Sequence, residues 1–425
     1  MNRKTKIVAT LGPASDSPDV LSRLLSAGVN VVRINFSHGS AEDHRERVAR
    51  VRAAASELGL PVAVLADLQG PKIRIESFAD GAVELEAGQR FTLDTQLAAD
   101  AGTREQVAIH YEPLLADVAP GAQLLINDGA ISLAVDEVDD HRIVCTVEVG
   151  GTLSGRKGVN LRGGGLSAGG LTEKDFGDIR VAAELEADYL AVSFVRSAAD
   201  MHEARRLLEE AGGKARLCAK IERAEAITAL DEIIQASDAV MVARGDLGVE
   251  IGDPELPGVQ KRIIAQAREM NRLVITATQM MESMIENPIP TRAEVLDVAN
   301  ATLDGTDAVM LSAETAVGRY PVQTVAAMGR ICIGAEREAT ADRPISGLAA
   351  HFERTDEAIA MATMYTACHM HADAIIALTE SGTTALLMSR QDTHIPIFAL
   401  TQYPASERYL ALCRNVFPVA FLPSE

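Results

Sequence analysis

The sequence predicts an α/β protein: a (β/α)8 TIM barrel with an inserted all-β lid domain and a C-terminal open α/β domain. Three observations support this prediction. Short apolar, β-branched segments recur with helical segments between them; one long interval alternates in polarity as antiparallel strands do; and a second αβ pattern follows the last barrel unit. The length of 425 residues agrees, because domains of roughly 150 residues imply about three.

The barrel prediction rests on eight apolar segments. Continuous apolar strands that alternate with helices indicate a parallel sheet covered on both faces, and eight such units fit a closed barrel. Amphipathic periodicity predicts helices at 201–212 and 255–271. The predicted strands are 5–10, 30–34, 61–67, 188–194, 216–222, 238–243, 272–278 and 307–312.

Two further units complete the predicted organisation. Between the third and fourth strands, alternating segments at 82–94, 122–138 and 141–153 predict antiparallel strands that form a lid. After the barrel, a helix at 355–371 and strands at 373–379, 395–401 and 415–421 predict an open α/β sheet. The expected domains are a catalytic barrel (1–70 and 169–343), a lid (71–168) and an incomplete C-terminal regulatory domain (344–425).

Composition narrows the class of function. The chain has 40 Lys and Arg against 60 Asp and Glu, a formal net charge of -20, which argues against nucleic-acid and anionic-membrane partners. Its five cysteines are widely spaced, and the N-terminus has no apolar stretch long enough for a signal peptide. We therefore expect a cytoplasmic protein that acts on small molecules.

Polar side chains follow six of the eight predicted strands at the point where each strand ends. The carboxyl ends of barrel strands meet at one mouth, where the active sites of such barrels lie. These positions hold Arg33, Asn35, Ser37 and His38; Asp67; Lys220 and Glu222; Gly245 and Asp246; Thr278; and Ser312 and Glu314.

One pair of carboxylates predicts a divalent-cation site. Lys220 and Glu222 are two residues apart on one predicted strand, so both side chains point to the same face. Asp246 ends the next strand, and two carboxylates with phosphate oxygens and water suit Mg2+. A salt-bridged polar rim is the alternative for any one pair. Polar side chains at the ends of six neighbouring strands favour a functional site over a purely structural rim.

The basic residues near the predicted mouth indicate a phosphate ligand. Arg33, Arg74, Lys157 and Lys220 lie at the mouth or its lid in a chain of strongly negative charge. Phosphoryl transfer needs positioning and charge neutralisation, which the guanidinium fork and the mobile ammonium both supply. For any single basic residue, a solvated surface position is the alternative.

Eight segments of the sequence carry distinctive motifs: TKIVATLGPAS (5–15), VVRINFSHG (31–39), DLQGPKIR (67–74), KGVNL (157–161), KIER (220–223), MVARGDLGVE (241–250), ATQMMESMI (277–285) and PTRAEVLDVANATLDGTDAVMLSAETAVGRYP (290–321). Through these segments the chain resembles the pyruvate kinase family over nearly its whole length. The predicted barrel, lid and C-terminal unit match that family's domains.

The resemblance implies transfer of the phosphoryl group of phosphoenolpyruvate to ADP, then protonation of enolpyruvate to pyruvate, the last step of glycolysis. It implies that Glu222 and Asp246 ligate Mg2+ or Mn2+, and that Lys220 and Arg33 contact the transferring phosphoryl group. Gly245, Asp246 and Thr278 would bind the substrate. Candidates for the proton relay are Thr278, Ser312 and Glu314; the nucleotide-side and cation-side positions are Asn35, Ser37, His38, Arg74 and Lys157.

Two positions differ from the pattern of many family members. Leu68 and Lys72 stand where those members carry Thr and Glu, a pairing that resembles the potassium-independent members. We expect the Lys72 ammonium to replace K+ in a site formed with Asn35, Ser37 and Asp67, so that K+ is not required.

The C-terminal unit carries the remaining expectations. The family uses the loop at Thr379, Ser381, Thr383 and Thr384 for phosphorylated effectors, whereas Ser and Thr there can simply cap a helix. Because the chain ends at Glu425, earlier than the family's domain usually does, we expect weak or absent activation by fructose 1,6-bisphosphate. Family members are commonly homotetramers, and a homo-oligomer is expected here, although we expect the short domain to lack part of that interface.

Two other functions compete with this one. A catalytically silent paralogue would keep the barrel and lose the metal pair or the lysine, yet Lys220, Glu222 and Asp246 are all present. Another Mg-dependent barrel that acts on pyruvate or phosphoenolpyruvate would lack the inserted β domain and the VVRINFSHG segment. ADP-dependent formation of pyruvate distinguishes all three.

Overall fold

A computed structural model describes residues 3–338, 352 and 354–421, and its first five elements begin a parallel barrel. The capping box of Ser40 and Asp43 starts α2, and Gly59, at φ 63°, ends it in the left-handed conformation that glycine tolerates. The elements are β1 (Lys6–Thr10), α1 (Pro18–Ser26), β2 (Val31–Asn35), α2 (Ala41–Leu58) and β3 (Ala63–Asp67).

An all-β insertion follows β3, as the alternating segments predict. Its eight strands form a two-stranded sheet of order β10-β4 and a six-stranded sheet of order β11-β7-β8-β9-β5-β6. Phe91, Leu133 and Ile143 lie in its separate apolar core. The elements are β4 (Ala82–Leu85), β5 (Arg90–Asp94), β6 (Gln106–Ala108), α3 (Leu114–Asp117), β7 (Gln123–Ile126), β8 (Ile131–Val138), β9 (Arg142–Val149), β10 (Gly151–Ser154) and β11 (Val159–Leu161).

The remaining five barrel strands close the barrel. Its order is β1-β16-β15-β14-β13-β12-β3-β2, with every pairing parallel. All eight predicted barrel strands are therefore confirmed. The elements are α4 (Glu173–Glu184), β12 (Tyr189–Val192), α5 (Ala198–Glu210), β13 (Arg216–Ile221), α6 (Ala224–Thr228), α7 (Leu230–Ala236), β14 (Ala239–Ala243), α8 (Arg244–Ile251), α9 (Leu256–Glu269), β15 (Leu273–Ala277), a 3-10 turn (Glu282–Ile285), α10 (Arg292–Leu303), β16 (Ala308–Leu311), α11 (Ala313–Ala316) and α12 (Pro321–Glu338).

A small open α/β sheet ends the chain, and the predicted fold class is confirmed. Its three strands are parallel, in the order β17-β18-β19. The expected boundary at 343/344 lies outside the described residues. The elements are α13 (Thr355–His369), β17 (Ile375–Leu378), α14 (Thr383–Ser389), β18 (Ile397–Thr401), α15 (Pro404–Leu410) and β19 (Val416–Ala420). Among the described helices, none is both long and apolar enough to cross a membrane.

Three aspartates anchor the amino-terminal end of the barrel. Asp188, Asp238 and Asp307 each precede an alternate strand and accept the backbone amide of the neighbouring strand at 2.8, 2.8 and 2.9 Å. Arg408 of α15 binds Asp188 at 2.7 Å, and Arg390, which follows α14, binds Asp307 at 2.5 Å. The C-terminal sheet is thus attached to the end of the barrel opposite the mouth, which leaves the mouth to the lid.

Candidate active site

The ends of β2 and β3 place an arginine and an aspartate side by side. Asn35 and Asp67 are register partners, so Arg33, two residues earlier on β2, points to the same face as Asn35. Arg33 Nε lies 2.5 Å from Asp67 Oδ2, and Arg33 Nη1 donates to Thr10 Oγ1 at 3.1 Å. Asp67 is 1% exposed, so the guanidinium compensates a carboxylate that has lost its water.

Lys220 lies at the centre of the cluster. Its Nζ is 3.2 Å from Asp67 Oδ1 and 3.0 Å from Glu222 Oε1, and it donates to Ser193 Oγ at 2.6 Å. The two-residue spacing places both side chains on one face, as predicted. Burial alone would lower the pKa of Lys220, but Asp67 and Glu222 raise it above its ordinary value. The ammonium therefore stays charged, because the attraction of the two carboxylates outweighs both burial and the repulsion from Arg33.

Glu222 and Asp246 form a pair of carboxylates that fits a divalent cation. Burial raises the pKa of Glu222, Lys220 lowers it, and the nearby charge of Asp246 raises it again. Two acidic groups that repel each other in a buried place are the arrangement that a bound cation relieves. Two carboxylates leave room around such a cation for substrate oxygens and water.

Lys72 reaches the mouth from the start of the lid, but not in the grouping that we expected. Its Nζ donates to Asp246 Oδ1 at 2.8 Å, and the expected grouping of Lys72 with Asn35, Ser37 and Asp67 stays a prediction. The physical reason for the contact with Asp246 is that it offers an uncompensated carboxylate, whereas Asp67 already has two cations. Gly158 leaves room for the lysine stem, since a Cβ there would lie 2.8 Å from Lys72 Cε.

Thr278 and Gly245 meet at the ends of β15 and β14. Thr278 has φ 67°, an uncommon left-handed conformation for a β-branched residue. Its Oγ1 accepts from the Gly245 amide at 2.8 Å and donates to the Ala277 carbonyl at 2.6 Å. Strain of this kind persists only where the surrounding structure enforces it. The Thr278 hydroxyl therefore has a fixed position beside the Gly245 amide at the beginning of α8.

Glu314 is buried beside the end of β16. Its carboxylate accepts from the Ser312 amide at 2.6 Å and from the Met281 amide at 3.2 Å. Burial raises the pKa of Glu314, although both amides lower it. A carboxyl group with a raised pKa can hold or release a proton nearer to neutral pH than an exposed glutamate can.

The expected nucleotide-side residues lie around the rim. Asn35 Oδ1 accepts from the Ser37 amide at 3.1 Å, and His38 is exposed. Arg74 pairs with the strand segment at Gly158, and the Lys157 carbonyl accepts from the backbone beside it at 3.0 Å. These two basic residues therefore lie on adjacent segments of the lid.

The expected effector loop is in the C-terminal sheet, and its hydroxyls are used locally. Thr379 Oγ1 accepts from the Gly382 amide at 2.9 Å, and Ser381 Oγ lies 2.9 Å from Thr383 Oγ1. Thr384 lies in the first turn of α14. The C-terminal sheet is attached to the amino-terminal end of the barrel, so the structure does not bring this loop together with the mouth.

Sequence reasoning missed three residues that belong to the cluster. Thr10 ends β1 and binds Arg33; Ser193 follows β12, accepts from Lys220 and donates to the Leu68 carbonyl at 2.8 Å. Both lie at the ends of barrel strands whose ends were not included in the predicted mouth. That position was the one feature of the sequence that could have indicated them. The third is Arg244, which binds the Thr278 carbonyl.

Two family models match the chain. Residues 2–325 match the barrel domain of pyruvate kinase, and residues 357–425 match its alpha/beta domain. Pyruvate kinase II of Salmonella typhimurium is 56% identical over 423 residues, which are 99% of this chain and 88% of that protein. The pyruvate kinase of Haemophilus influenzae is 53% identical over 98% of this chain and 88% of its own length. That of Mycobacterium tuberculosis is 45% identical over 97% and 86%.

Proposed function

Because the chain belongs to the pyruvate kinase family, we propose that the cluster at the barrel mouth is its active site. Enzymes of this family transfer the phosphoryl group of phosphoenolpyruvate to ADP, and this chain is a phosphotransferase of that kind. One observation carries the assignment of the site: the buried ammonium of Lys220 lies between Asp67 and Glu222, in a cluster that includes Arg33.

Arg33 and Lys220 neutralise the transferring group. The phosphorus–oxygen bond of phosphoenolpyruvate breaks as a terminal oxygen of ADP attacks, and negative charge is left on the enolate oxygen. Two cations held by Asp67 are preorganised for this charge, so they need little reorganisation during the reaction. Ser193 supports the role by fixing the position of the Lys220 ammonium.

Glu222 and Asp246 hold the divalent cation that the family requires. When it is bound, Mg2+ or Mn2+ supplies positive charge at the phosphate and enolate oxygens. The Phe194 amide donates to Glu222 Oε2 at 2.8 Å and orients that carboxylate. Lys72 must leave Asp246 for the carboxylate to serve as a ligand, which its flexible stem allows.

Thr278, Ser312 and Glu314 serve the second step, in which C3 of enolpyruvate gains a proton and C2–O becomes a carbonyl. The hydroxyl of Thr278 supports this role, as does the raised pKa of Glu314. Phosphoenolpyruvate is bound by the Gly245 amide, Asp246 and Thr278. Water completes the path of the proton.

Five residues at the rim bind ADP and its cation. They present amide, hydroxyl, imidazole and cationic groups beside the lid, the donor types that a diphosphate needs. The basic residues on two adjacent lid segments support this proposal. The set is Asn35, Ser37, His38, Arg74 and Lys157.

Potassium is not required in this proposal. Lys72 supplies a covalently attached positive charge at the mouth, and Leu68 offers no hydroxyl for a monovalent cation. We place the ammonium near Asn35, Ser37 and Asp67 once it has left Asp246. A homo-oligomer remains part of the proposal, and mass measurement by light scattering tests it.

The test of the function is a coupled assay. Phosphoenolpyruvate, ADP and Mg2+ are supplied with lactate dehydrogenase and NADH, and oxidation of NADH reports pyruvate. The expected result is turnover that needs ADP and Mg2+ together. Pyruvate formation without ADP, or no turnover from a folded enzyme, would overturn the proposed function.

A further inference from the structure

Arg244 binds both peptide groups that define the conformation of Thr278. Its Nε donates to the Ala277 carbonyl at 3.2 Å, and its Nη2 donates to the Thr278 carbonyl at 2.7 Å. The angles φ and ψ of a residue are set by the orientations of the peptide planes before and after it. A rigid guanidinium that binds one carbonyl from each plane therefore restrains both angles.

Thr278 needs this restraint because its conformation is unfavourable. Thr278 has φ 67° and Gln279 has φ 53°, so two consecutive residues other than glycine are left-handed. For a β-branched side chain this conformation is strained, and it persists only when neighbouring groups enforce it. The strain lies at a strand end whose hydroxyl accepts from the Gly245 amide.

Arg244 is itself held firmly. It follows Ala243, the register partner of Ala277, so its position beside Thr278 comes from the pairing of β14 with β15. Arg244 is 8% exposed, and its Nη1 binds Asp297 Oδ1 at 2.6 Å. Asp297, on α10, thus orients the guanidinium from the side away from Thr278.

We propose that Arg244 is a positioning residue for the reaction: it holds the backbone of Thr278 so that the threonine hydroxyl faces the Gly245 amide. This inference rests on the proposed role of Thr278 in protonation. Lysine at position 244 keeps the charge but offers a single donor centre, which cannot bind two diverging carbonyls in a fixed geometry. Displacing a reacting group by an ångström can cost about 100-fold in rate.

The test separates protonation from folding. In D2O with Mg2+ and ATP, exchange of the methyl hydrogens of pyruvate is followed by NMR, since this exchange is the reverse of the protonation step. We expect Arg244→Lys to slow the exchange by about 100-fold while ATP formation from phosphoenolpyruvate falls much less. Thr278→Ala should lose exchange to a similar extent.

A second comparison excludes a merely structural role. If Arg244 acts through Thr278, adding Arg244→Lys to Thr278→Ala should change the exchange rate by no more than about twofold. Arg268→Lys is the matched control, because Arg268 is a largely buried arginine that binds the Gly305 carbonyl at the other end of the barrel. It should lower Tm without slowing exchange.

Each outcome has a separate meaning. Normal exchange in a folded Arg244→Lys enzyme, with exchange lost in Thr278→Ala, would overturn the inference and leave the proposed function intact. Independent, multiplying effects of the two substitutions would overturn it as well. Normal exchange in Thr278→Ala would overturn the proposed role of Thr278 and the inference with it.

Discussion

Replacing Lys220 with methionine tests the centre of the proposed site. The substitution keeps much of the side-chain volume and removes the ammonium that lies 3.2 Å from Asp67 and 3.0 Å from Glu222. Loss of one preorganised donor at a developing negative charge costs about 10²–10³ in kcat, or about 2.7–4 kcal/mol. We therefore expect a loss of at least that size at saturating phosphoenolpyruvate, ADP and Mg2+.

The same change should also destabilise the fold. Removing one partner of a buried ion pair costs about 3–5 kcal/mol, because the remaining charge is left uncompensated. Here Asp67 keeps Arg33, so Glu222 bears most of the loss. Adding Glu222→Gln to Lys220→Met should recover part of the free energy of unfolding and no activity. Denaturant unfolding and the coupled assay measure the two effects.

Two controls accompany this experiment. Lys261→Met removes a half-exposed ammonium that is paired with Asp304, and it should leave kcat unchanged. Mn2+ binding should persist in Lys220→Met, since Glu222 and Asp246 remain. A folded Lys220→Met enzyme that keeps more than about a tenth of the wild-type kcat would refute the reasoning.

Three further predictions concern ions, effectors and pH. We expect the wild-type enzyme to have near-full activity without K+ or Na+, and strong stimulation by K+ would contradict this. The double change Leu68→Thr with Lys72→Glu should create a requirement for K+. The single change Lys72→Ala should lose activity that K+ only partly restores. Fructose 1,6-bisphosphate should leave the half-saturating phosphoenolpyruvate concentration nearly unchanged; a clear decrease would show that the loop at Thr379 binds it. Burial raises the pKa of Glu250 from 4.5 to about 7 in the folded state. Between these two pH values the folded protein holds a proton on Glu250 that the unfolded chain has released, so the free energy of unfolding decreases as pH rises. Denaturant unfolding should therefore show a decrease of about 3 kcal/mol from pH 4.5 to pH 8 that Glu250→Gln abolishes, and parallel pH profiles of the two proteins would contradict it.

The barrel was predictable because its signal is local and repeated. Each barrel strand is a short apolar run, and the spacing of Lys220 and Glu222 fixes their common face without any knowledge of neighbours. Thr10 and Ser193 carried the same positional signal as the other strand ends. A small hydroxyl after an apolar strand is too common to indicate a site unless the closure of the barrel is known.

Other contacts depend on geometry that no local pattern contains. The pairing of Lys72 with Asp246 joins residues 174 positions apart and is set by how the lid meets the barrel. The left-handed backbone of Thr278 has no signal of its own, since threonine is a residue that disfavours it. Both features arise from several elements that converge on one place, which is why the structure was needed to find them.

Asp307 at the amino-terminal end of the barrel and two glutamates at the mouth have pKa values shifted in opposite directions. At the amino-terminal end, burial would raise the pKa of Asp307, but Arg390 and other donors lower it, so its charge stabilises the fold and the docking of α14. At the mouth, the pKa values of Glu222 and Glu314 are raised, so their charged forms are disfavoured in the folded protein. Groups in that state gain most from a bound cation or a transferred proton. The ion pair of Asp307 helps to maintain the fold, whereas Glu222 and Glu314 are carboxyl groups that a bound metal ion or a substrate can stabilise.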